Sequence, residues 1–194
     1  MLSPDLSHIL QHIHERALSY DETVKHDRRA PAPTFLIDGP SGSGKTTLAA
    51  EIEQHWNSAV KLQVVHMDDL YPGWDGLADG AATAFAMLRE RGNGADTHWQ
   101  RYDWATAAFA EWHSVDAREP LLIEGCGSLS AGSESLSQVR IWLDADTELR
   151  RERALSRVGE NFAEHWTEWD AQFENFVSLH NPQALSTLEV SASE

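Results

Sequence analysis

The sequence predicts an α/β fold in which helices flank a mainly parallel, five-stranded sheet. Short apolar runs recur along the chain, segments with helical periodicity separate them, and the first run leads directly into a glycine-rich turn. The expected strands lie at residues 34–37, 60–66, 121–123, 139–143 and 185–190. Because strands alternate with helices, the pattern favours parallel pairing through crossover connections.

Helices are expected where apolar residues recur three and four positions apart. The first should cover residues 3–24, with Ser3 as its cap and Pro4 at its first helical position. Residues 25–33 indicate a linker, and 68–80 a loop. Other helices are expected at 46–56, 81–91, 147–158 and 160–179. The spacing of Trp104, Ala108, Phe109 and Trp112 suggests a further helix.

We expect the whole chain, residues 1–194, to form one domain. Its core should lie at residues 34–157, between an N-terminal helix and linker at 1–33 and a C-terminal helix and last strand at 158–194. The length of 194 residues suffices for a sizeable hydrophobic core.

The chain is strongly acidic, with 31 Asp and Glu residues against 15 Lys and Arg residues and a formal net charge of −16. This charge argues against a nucleic-acid partner, because phosphate backbones are bound through clustered Lys and Arg side chains. The sequence contains no run of about 18 apolar residues of the kind that indicates a membrane span. With a single cysteine, Cys126, the composition favours a cytoplasmic location.

The glycine-rich turn is the most specific motif in the chain. Residues 39–46, Gly-Pro-Ser-Gly-Ser-Gly-Lys-Thr, match the G-x-x-x-x-G-K-[ST] pattern in full, after an apolar run and before a helix. Glycines let successive backbone N–H groups point at phosphate oxygens, and the helix adds its positive end. The alternative, a flexible Gly/Ser linker, would not explain the strand that precedes it.

The motif predicts a site for ATP and Mg²⁺. Lys45 should reach the β- and γ-phosphates, and the Thr46 hydroxyl should ligate Mg²⁺. The predicted nucleotide-binding residues are Gly39, Ser41, Gly42, Ser43, Gly44, Lys45, Thr46 and Thr47.

Asp68 follows the second expected strand and should lie at the same edge of the sheet as the phosphate loop. Phosphoryl transfer needs a positioned group that accepts a proton from the acceptor hydroxyl, and a carboxylate suits that role. Coordination of Mg²⁺ is the competing role, and a turn or helix-cap aspartate is the structural alternative.

Four segments together resemble the uridine kinase and phosphoribulokinase group of P-loop kinases. They are the phosphate loop, Asp68-Asp69-Leu70-Tyr71, the strand that ends in Glu124-Gly125, and residues 144–151. The resemblance covers roughly residues 34–157 and implies a P-loop NTPase fold. It also implies that Asp68 is the catalytic base, that Tyr71 contacts the acceptor, and that Glu124 lies near the metal.

Between these segments, residues 74–112 are rich in tryptophan and differ from the usual acceptor region of uridine kinases. Arg101 and Asp103 stand beside Tyr102 and Trp104, a set that could hold a hydroxylated ring by stacking and bidentate hydrogen bonds. Alternatively, Asp103 caps a helix there. Trp74 lies in a loop-like stretch and is a third candidate for acceptor binding, with Arg101 and Asp103.

The densest basic cluster consists of Arg150, Arg151, Arg153 and Arg157. On a helix, Arg150, Arg153 and Arg157 share one face, which could close over the triphosphate as a lid. We expect Arg151 or Arg153 to act in catalysis. The alternative is a solvated face paired with neighbouring glutamates. The aromatic residues at 162–176 indicate core packing or an oligomer interface, such as that of a homodimer.

These observations predict a phosphotransferase that moves the γ-phosphate of MgATP to a small-molecule hydroxyl, with a nucleoside as the first choice of acceptor. Another alcohol, such as a sugar acid, a shikimate-like ring or an antibiotic, remains open as the acceptor. A regulatory ATPase that serves a protein partner is the alternative of a different class.

Overall fold

The computed structural model describes residues 4–24, 31–58, 60–158 and 160–192. Its helices are α1 (Pro4–Val24), α2 (Lys45–Gln54), α3 (Leu77–Gly92), α4 (Thr147–Val158), α5 (Glu160–His180) and α6 (Pro182–Leu185). Its strands are β1 (Thr34–Asp38), β2 (Gln63–His66), β3 (Thr97–Asp103), β4 (Ala108–Val115), β5 (Leu121–Glu124), β6 (Val139–Ala145) and β7 (Leu188–Ala192). Short 3₁₀ turns cover Met67–Asp69 and Ser133–Ser135.

The main sheet has five parallel strands in the order β2-β5-β1-β6-β7, which confirms the predicted α/β fold. The central strand β1 pairs with β5 and β6, and Ile37 lies opposite Glu124 on one side and Ile141 on the other. On β2, His66 lies opposite Glu124. The carboxyl ends of β1, β2 and β5 therefore meet at one edge, where open parallel sheets bind their ligands.

Helices cover both faces of this sheet, so its central strands are apolar on both sides. On β1, Phe35 and Ile37 join a core that includes Ile9 and Ile13 of α1 and Ile52 of α2. The intervening Leu36 points to the opposite core, which contains residues of α3 and α5. All five residues of β1 are buried. This continuous apolar run made the strand predictable from sequence.

The helix expected around Trp104–Trp112 is wrong, because this segment belongs to an antiparallel hairpin. Strands β3 and β4 pair with each other as a separate two-stranded sheet. The hairpin turn is fixed by Asp103, whose carboxylate accepts hydrogen bonds from the Ala105 N–H and the Thr106 hydroxyl. Ala107 has a positive φ of 51°, which a continuous helix would not allow. Asp103 thus caps a hairpin turn and not a helix.

Other differences concern the ends of elements. Helix α3 begins at Leu77 and takes in part of the expected loop at 68–80, and β2 begins at Gln63. The final strand begins at Leu188, three residues after the expected start. Ser3 and most of the expected linker lie outside the described residues.

Arg91, near the end of α3, is fully buried and contacts two chain segments, one at the start of β1 and one between β4 and β5. Its guanidinium donates hydrogen bonds to Thr34 Oγ1 at 3.1 Å, to the Asp116 carbonyl at 2.6 Å, and to the carbonyls of Ala32 and Glu119. Burial lowers the pKa of Arg91 to about 10, which leaves the side chain charged at neutral pH. The arginine ties the segment before β1 to the turn between β4 and β5.

Within the described residues, none of the helices is both long enough and apolar enough to cross a membrane.

Candidate functional site

The phosphate loop, residues 39–46, runs from the end of β1 into the first turn of α2, as the sequence predicts. Gly42 and Gly44 have positive φ angles of 80° and 100°, which residues with a Cβ rarely adopt. A Cβ on Gly42 would also collide with the backbone carbonyl of Arg150. Around Gly44 the space is open, since among the described residues no heavy atom, apart from its chain neighbours and the adjoining helix backbone, lies within 4 Å of where its Cβ would stand. The loop therefore leaves open space at the N-terminus of a helix, where anions are stabilised.

The polar side chains of this loop differ in burial and in hydrogen bonding. The Ser43 hydroxyl is fully buried and has no hydrogen-bond partner in the described part of the chain. Lys45 is 7% exposed, and its ammonium group donates to the Pro40 carbonyl at 2.8 Å. Thr46 and Thr47 are exposed at the start of α2. A lysine folded back onto its own loop and an unsatisfied hydroxyl are both polar groups that a bound phosphate could engage.

Asp38, the last residue of β1, is a buried carboxylate that the sequence analysis did not single out. It accepts hydrogen bonds from the backbone N–H groups of Gly39 at 2.7 Å, Gly127 at 3.0 Å and Leu129 at 2.8 Å. Burial raises its pKa to about 6, although these donors and the charge of Lys45 oppose the rise. Its position directly before a phosphate loop was the available signal.

At the adjoining end of β2, Asp68 lies exposed in the 3₁₀ turn that follows the strand. Glu124, at the end of β5, is 4% exposed, and its Oε1 lies 2.7 Å from His66 Nδ1. This hydrogen bond is the main cause that raises the pKa of His66 above its ordinary value. Asp68 and Glu124 thus stand at the ends of neighbouring strands, and sequence reasoning did not identify His66 as a neighbour of Glu124.

Tyr71 lies in the core and not on the acceptor side of the turn. It is 1% exposed, its hydroxyl donates to the Cys126 carbonyl at 2.7 Å, and its ring packs edge-on against Trp169. Burial raises its pKa well above the ordinary value. This placement argues against direct contact with an acceptor and gives Tyr71 a supporting position beneath the turn.

Trp74 lies in an aromatic cluster beside the same turn. Its ring stacks on His165 with centroids 4.6 Å apart and meets Trp104 of the hairpin at 4.8 Å. Trp104 is 38% exposed, and its indole N–H donates to the Asp68 carbonyl at 2.8 Å. The hairpin therefore brings aromatic surface next to Asp68.

Arg101 on β3 forms a bidentate ion pair with Glu111 on β4, with distances of 2.6 and 3.1 Å. This pairing holds the pKa of Glu111 at about 2. Asp103 lies farther away, 4.0 Å from the Arg101 guanidinium, and its carboxylate caps the hairpin turn. Arg101 therefore pairs with Glu111 across the strands, and Asp103 caps the turn, so the two side chains have different partners.

Among the arginines of α4, Arg150 contacts the phosphate loop. Its side chain donates to the Ser41 carbonyl at 3.4 Å and to the Ala145 carbonyl at 3.2 Å, and it is 11% exposed. Arg151 is exposed and Arg153 is half-buried. The side chain of Arg157 lies outside the described residues. The sequence located the basic cluster but did not identify which arginine meets the loop.

Comparison with solved structures identifies the architecture. A possible uridine kinase from Bacillus stearothermophilus superposes with a TM-score of 0.57 over 92% of this chain and 98% of its own, at 17% identity. The chain has the fold of the P-loop kinases. A putative fructose transport system kinase from Silicibacter sp. superposes with a TM-score of 0.55 over 98% of this chain and 100% of its own, at 17% identity. D-glycerate 3-kinase from Cryptococcus neoformans superposes with a TM-score of 0.50 over 95% of this chain and 89% of its own, at 10% identity.

Sequence comparisons reach a shorter part of the chain. No family model matches it. A vesicle-fusing ATPase from Arabidopsis thaliana is 52% identical over 48 residues, which is 25% of this chain and 6% of that protein. The chain therefore matches only a small part of this relative's length.

The residues of this P-loop kinase fold that could hold Mg²⁺ are hard oxygen donors. The Thr46 hydroxyl and the carboxylates of Asp68 and Glu124 are of the kind that Mg²⁺ prefers. In the described part of the chain, no three His, Cys, Asp or Glu side chains form a ready metal cluster. This donor set fits an ion that keeps several waters and binds mainly through nucleotide phosphates.

Proposed function

We propose that this chain is an ATP-dependent kinase that transfers the γ-phosphate of MgATP to a hydroxyl of a small metabolite, with a nucleoside as the first choice. The observation that carries the proposal is the placement of two elements at one edge of the parallel sheet. The phosphate loop follows β1, and the turn bearing Asp68 follows β2, with β5 between these strands. A cytoplasmic location agrees with this role.

The phosphate loop would bind the nucleotide. Its backbone amides and the N-terminus of α2 would hold the phosphates, and Lys45 would turn from the Pro40 carbonyl to the β- and γ-phosphate oxygens. The Thr46 hydroxyl and the carboxylates of Asp68 and Glu124 would hold Mg²⁺, which would supply positive charge to the transferring phosphoryl group. Arg150, and Arg151 or Arg153 beyond it on α4, would add charge at the lid.

Asp68 would accept the proton of the acceptor hydroxyl. It is exposed at the strand end, so a bound acceptor could reach its carboxylate. Trp104 contacts the Asp68 backbone and packs against Trp74, and the two rings would provide a stacking surface for a base or a sugar ring. An aromatic surface of this kind is the feature that favours a nucleoside.

The nucleotide site is tested by Lys45→Ala. We expect the variant to lose the thermal stabilisation that a non-hydrolysable ATP analogue with Mg²⁺ gives the wild type, because the ammonium contact to the phosphates is gone. Lys61→Ala is the matched control, since Lys61 is exposed and lies outside the loop. Full stabilisation of Lys45→Ala would refute the assignment of the phosphate loop.

The acceptor site is tested by Asp68→Asn. We expect kcat to fall roughly 10²-fold or more, as for the loss of a general base, while nucleotide binding is kept. Asp75→Asn is the control, because Asp75 is exposed a few residues farther along the same loop. Near-normal turnover would remove Asp68 from the role of base.

Two alternative functions would use the same nucleotide site, one with a different acceptor and one with hydrolysis in place of transfer. The likeness to a putative fructose transport system kinase favours a sugar or another alcohol as the acceptor. The short match to a vesicle-fusing ATPase favours nucleotide hydrolysis in the service of a protein partner. A panel of nucleosides, sugars, sugar acids and aminoglycosides decides between them. Phosphorylation of one member identifies the acceptor class, and hydrolysis that no member stimulates favours the ATPase.

A further inference from the structure

Asp38 stands where two loops of the candidate site meet. Its carboxylate is completely buried and accepts three backbone N–H groups, one from Gly39 in the phosphate loop and two from Gly127 and Leu129. The last two belong to the segment Gly125–Leu129, which follows β5 directly and is called the β5 loop below. One side chain thus bonds the first residue of the phosphate loop and the β5 loop at once.

Other contacts join the same two loops. The thiol of Cys126 in the β5 loop lies 3.3 Å from the Gly39 carbonyl oxygen and 3.6 Å from the Lys45 ammonium nitrogen. The Gly125 N–H and the Ser128 hydroxyl both donate to the Ile37 carbonyl. These bonds hold the β5 loop against β1, but Asp38 supplies the acceptor for three N–H groups where the chain turns into the phosphate loop.

A carboxylate is suited to this position because it accepts hydrogen bonds and donates none. An asparagine of the same shape would direct its NH₂ group at one or more of the three backbone donors. A smaller residue would leave all three without an acceptor in a buried site. The position therefore selects an acidic residue although no cation forms an ion pair with it at hydrogen-bond distance among the described residues.

The β5 loop begins directly after Glu124, which we propose lies near the metal. β1 and β5 are neighbours, and the hydrogen bonds of Asp38 connect the start of the phosphate loop to the segment that follows Glu124. We propose that Asp38 is a positioning residue of the transfer reaction, which holds the phosphate loop and the β5 loop in the register that brings nucleotide, metal and acceptor into line. This inference rests on the proposed kinase activity.

The test compares Asp38→Asn with Ser137→Ala. Ser137 is also buried, and its hydroxyl donates to the Ser133 carbonyl at 2.8 Å, so its loss removes a buried loop hydrogen bond that does not touch the phosphate loop. For Asp38→Asn we expect kcat to fall roughly 10- to 100-fold, since misplacement by about 1 Å can cost that much. The Kd for the non-hydrolysable analogue should change less than about threefold, because the loop amides and Lys45 remain.

Ser137→Ala should lower the melting temperature and leave kcat unchanged. If Asp38→Asn behaves in the same way, with a lower melting temperature and normal kcat, Asp38 is only a structural residue and the proposal is overturned. A wild type that binds no MgATP would instead refute the proposed function itself, and the positioning role with it.

Should Asp38→Asn fail to fold, the wild-type protein decides the question by amide NMR. Titration with MgADP should shift the Gly39 signal together with those of Gly127 and Leu129, because one carboxylate bonds all three. Shifts at Gly39 alone, with unchanged Gly127 and Leu129 signals, would show that the two loops are not coupled and would overturn the proposal.

Discussion

The indole N–H of Trp104 donates a hydrogen bond to the backbone carbonyl of Asp68, with 2.8 Å between the two heavy atoms. Trp104 lies in the turn of the β3–β4 hairpin, and Asp68 lies in the turn after β2. The indole ring also contacts Trp74 and lies nearly perpendicular to the ring of Tyr102. The hairpin is thereby attached to the turn that carries the proposed base.

Replacing Trp104 by Phe should therefore impair use of the acceptor. The variant keeps an aromatic ring but loses the N–H donor, so the turn that bears Asp68 is held less firmly. We expect kcat/KM for the acceptor to fall about tenfold while the Kd for MgATP is unchanged, as measured by steady-state kinetics and calorimetry. Trp112→Phe serves as control, because Trp112 is 68% exposed on β4. Equal effects of the two substitutions would contradict this expectation.

Gly42→Ala should weaken nucleotide binding. A Cβ there would meet the Arg150 carbonyl, and φ of +80° is strained for alanine by about 1 kcal/mol or more. We expect the affinity for MgATP to fall at least about tenfold, measured by calorimetry. Gly94→Ala carries the same kind of strain, with φ of +75°, in the exposed connection between α3 and β3. Gly94→Ala should lower stability and leave the affinity unaltered, and a normal affinity for Gly42→Ala would show that the loop tolerates a side chain.

Arg91→Met should destabilise the fold, because it removes the donors of three backbone carbonyls and the Thr34 hydroxyl. Hydrogen bonds from a charged group contribute about 1.5–3 kcal/mol each, so we expect the free energy of unfolding to fall by about 3 kcal/mol or more. Urea denaturation measures the change. Arg89→Met on the exposed face of the same helix should alter it by less than about 0.5 kcal/mol. Similar losses for the two variants would mean that the buried bonds of Arg91 contribute little.

Asp38 should make stability depend on pH in the acidic range. Its pKa is about 6 in the folded protein against 3.8 for an ordinary aspartate, because burial disfavours the charged form. The folded state therefore binds the proton more tightly. Its contribution is fully present below pH 3.8 and is lost as the pH rises through about 6, by about 3 kcal/mol in total.

This contribution can be isolated by comparing the wild type with Asp38→Asn, which has no titrating group at this position. The wild-type free energy of unfolding minus that of the variant should decrease between pH 4 and pH 7. Urea denaturation at several pH values measures it, and the other titrating groups largely cancel in the difference. A difference that stays constant with pH would mean that the buried carboxyl titrates normally.

The correct predictions from the sequence rest on patterns among residues that are close together in the chain. The phosphate loop is recognisable because its glycines and Lys45 stand at fixed spacing between a buried strand and a helix. The strands β1, β5 and β6 are apolar runs because helices cover both faces of the sheet. The spacing of the residues from Trp104 to Trp112 led to a wrong prediction of a helix. The same residues fit both a helix and a hairpin, and contacts outside the segment decide between them.

From the sequence alone came the α/β fold, the position of the phosphate loop, and the basic cluster on α4, since each is encoded in local spacing and composition. Tertiary structure alone decided that Tyr71 is buried, that Arg150 meets the loop, and that Asp38 joins two loops. Those properties arise where residues tens of positions apart come within hydrogen-bond distance, and short-range periodicity carries no information about such pairs.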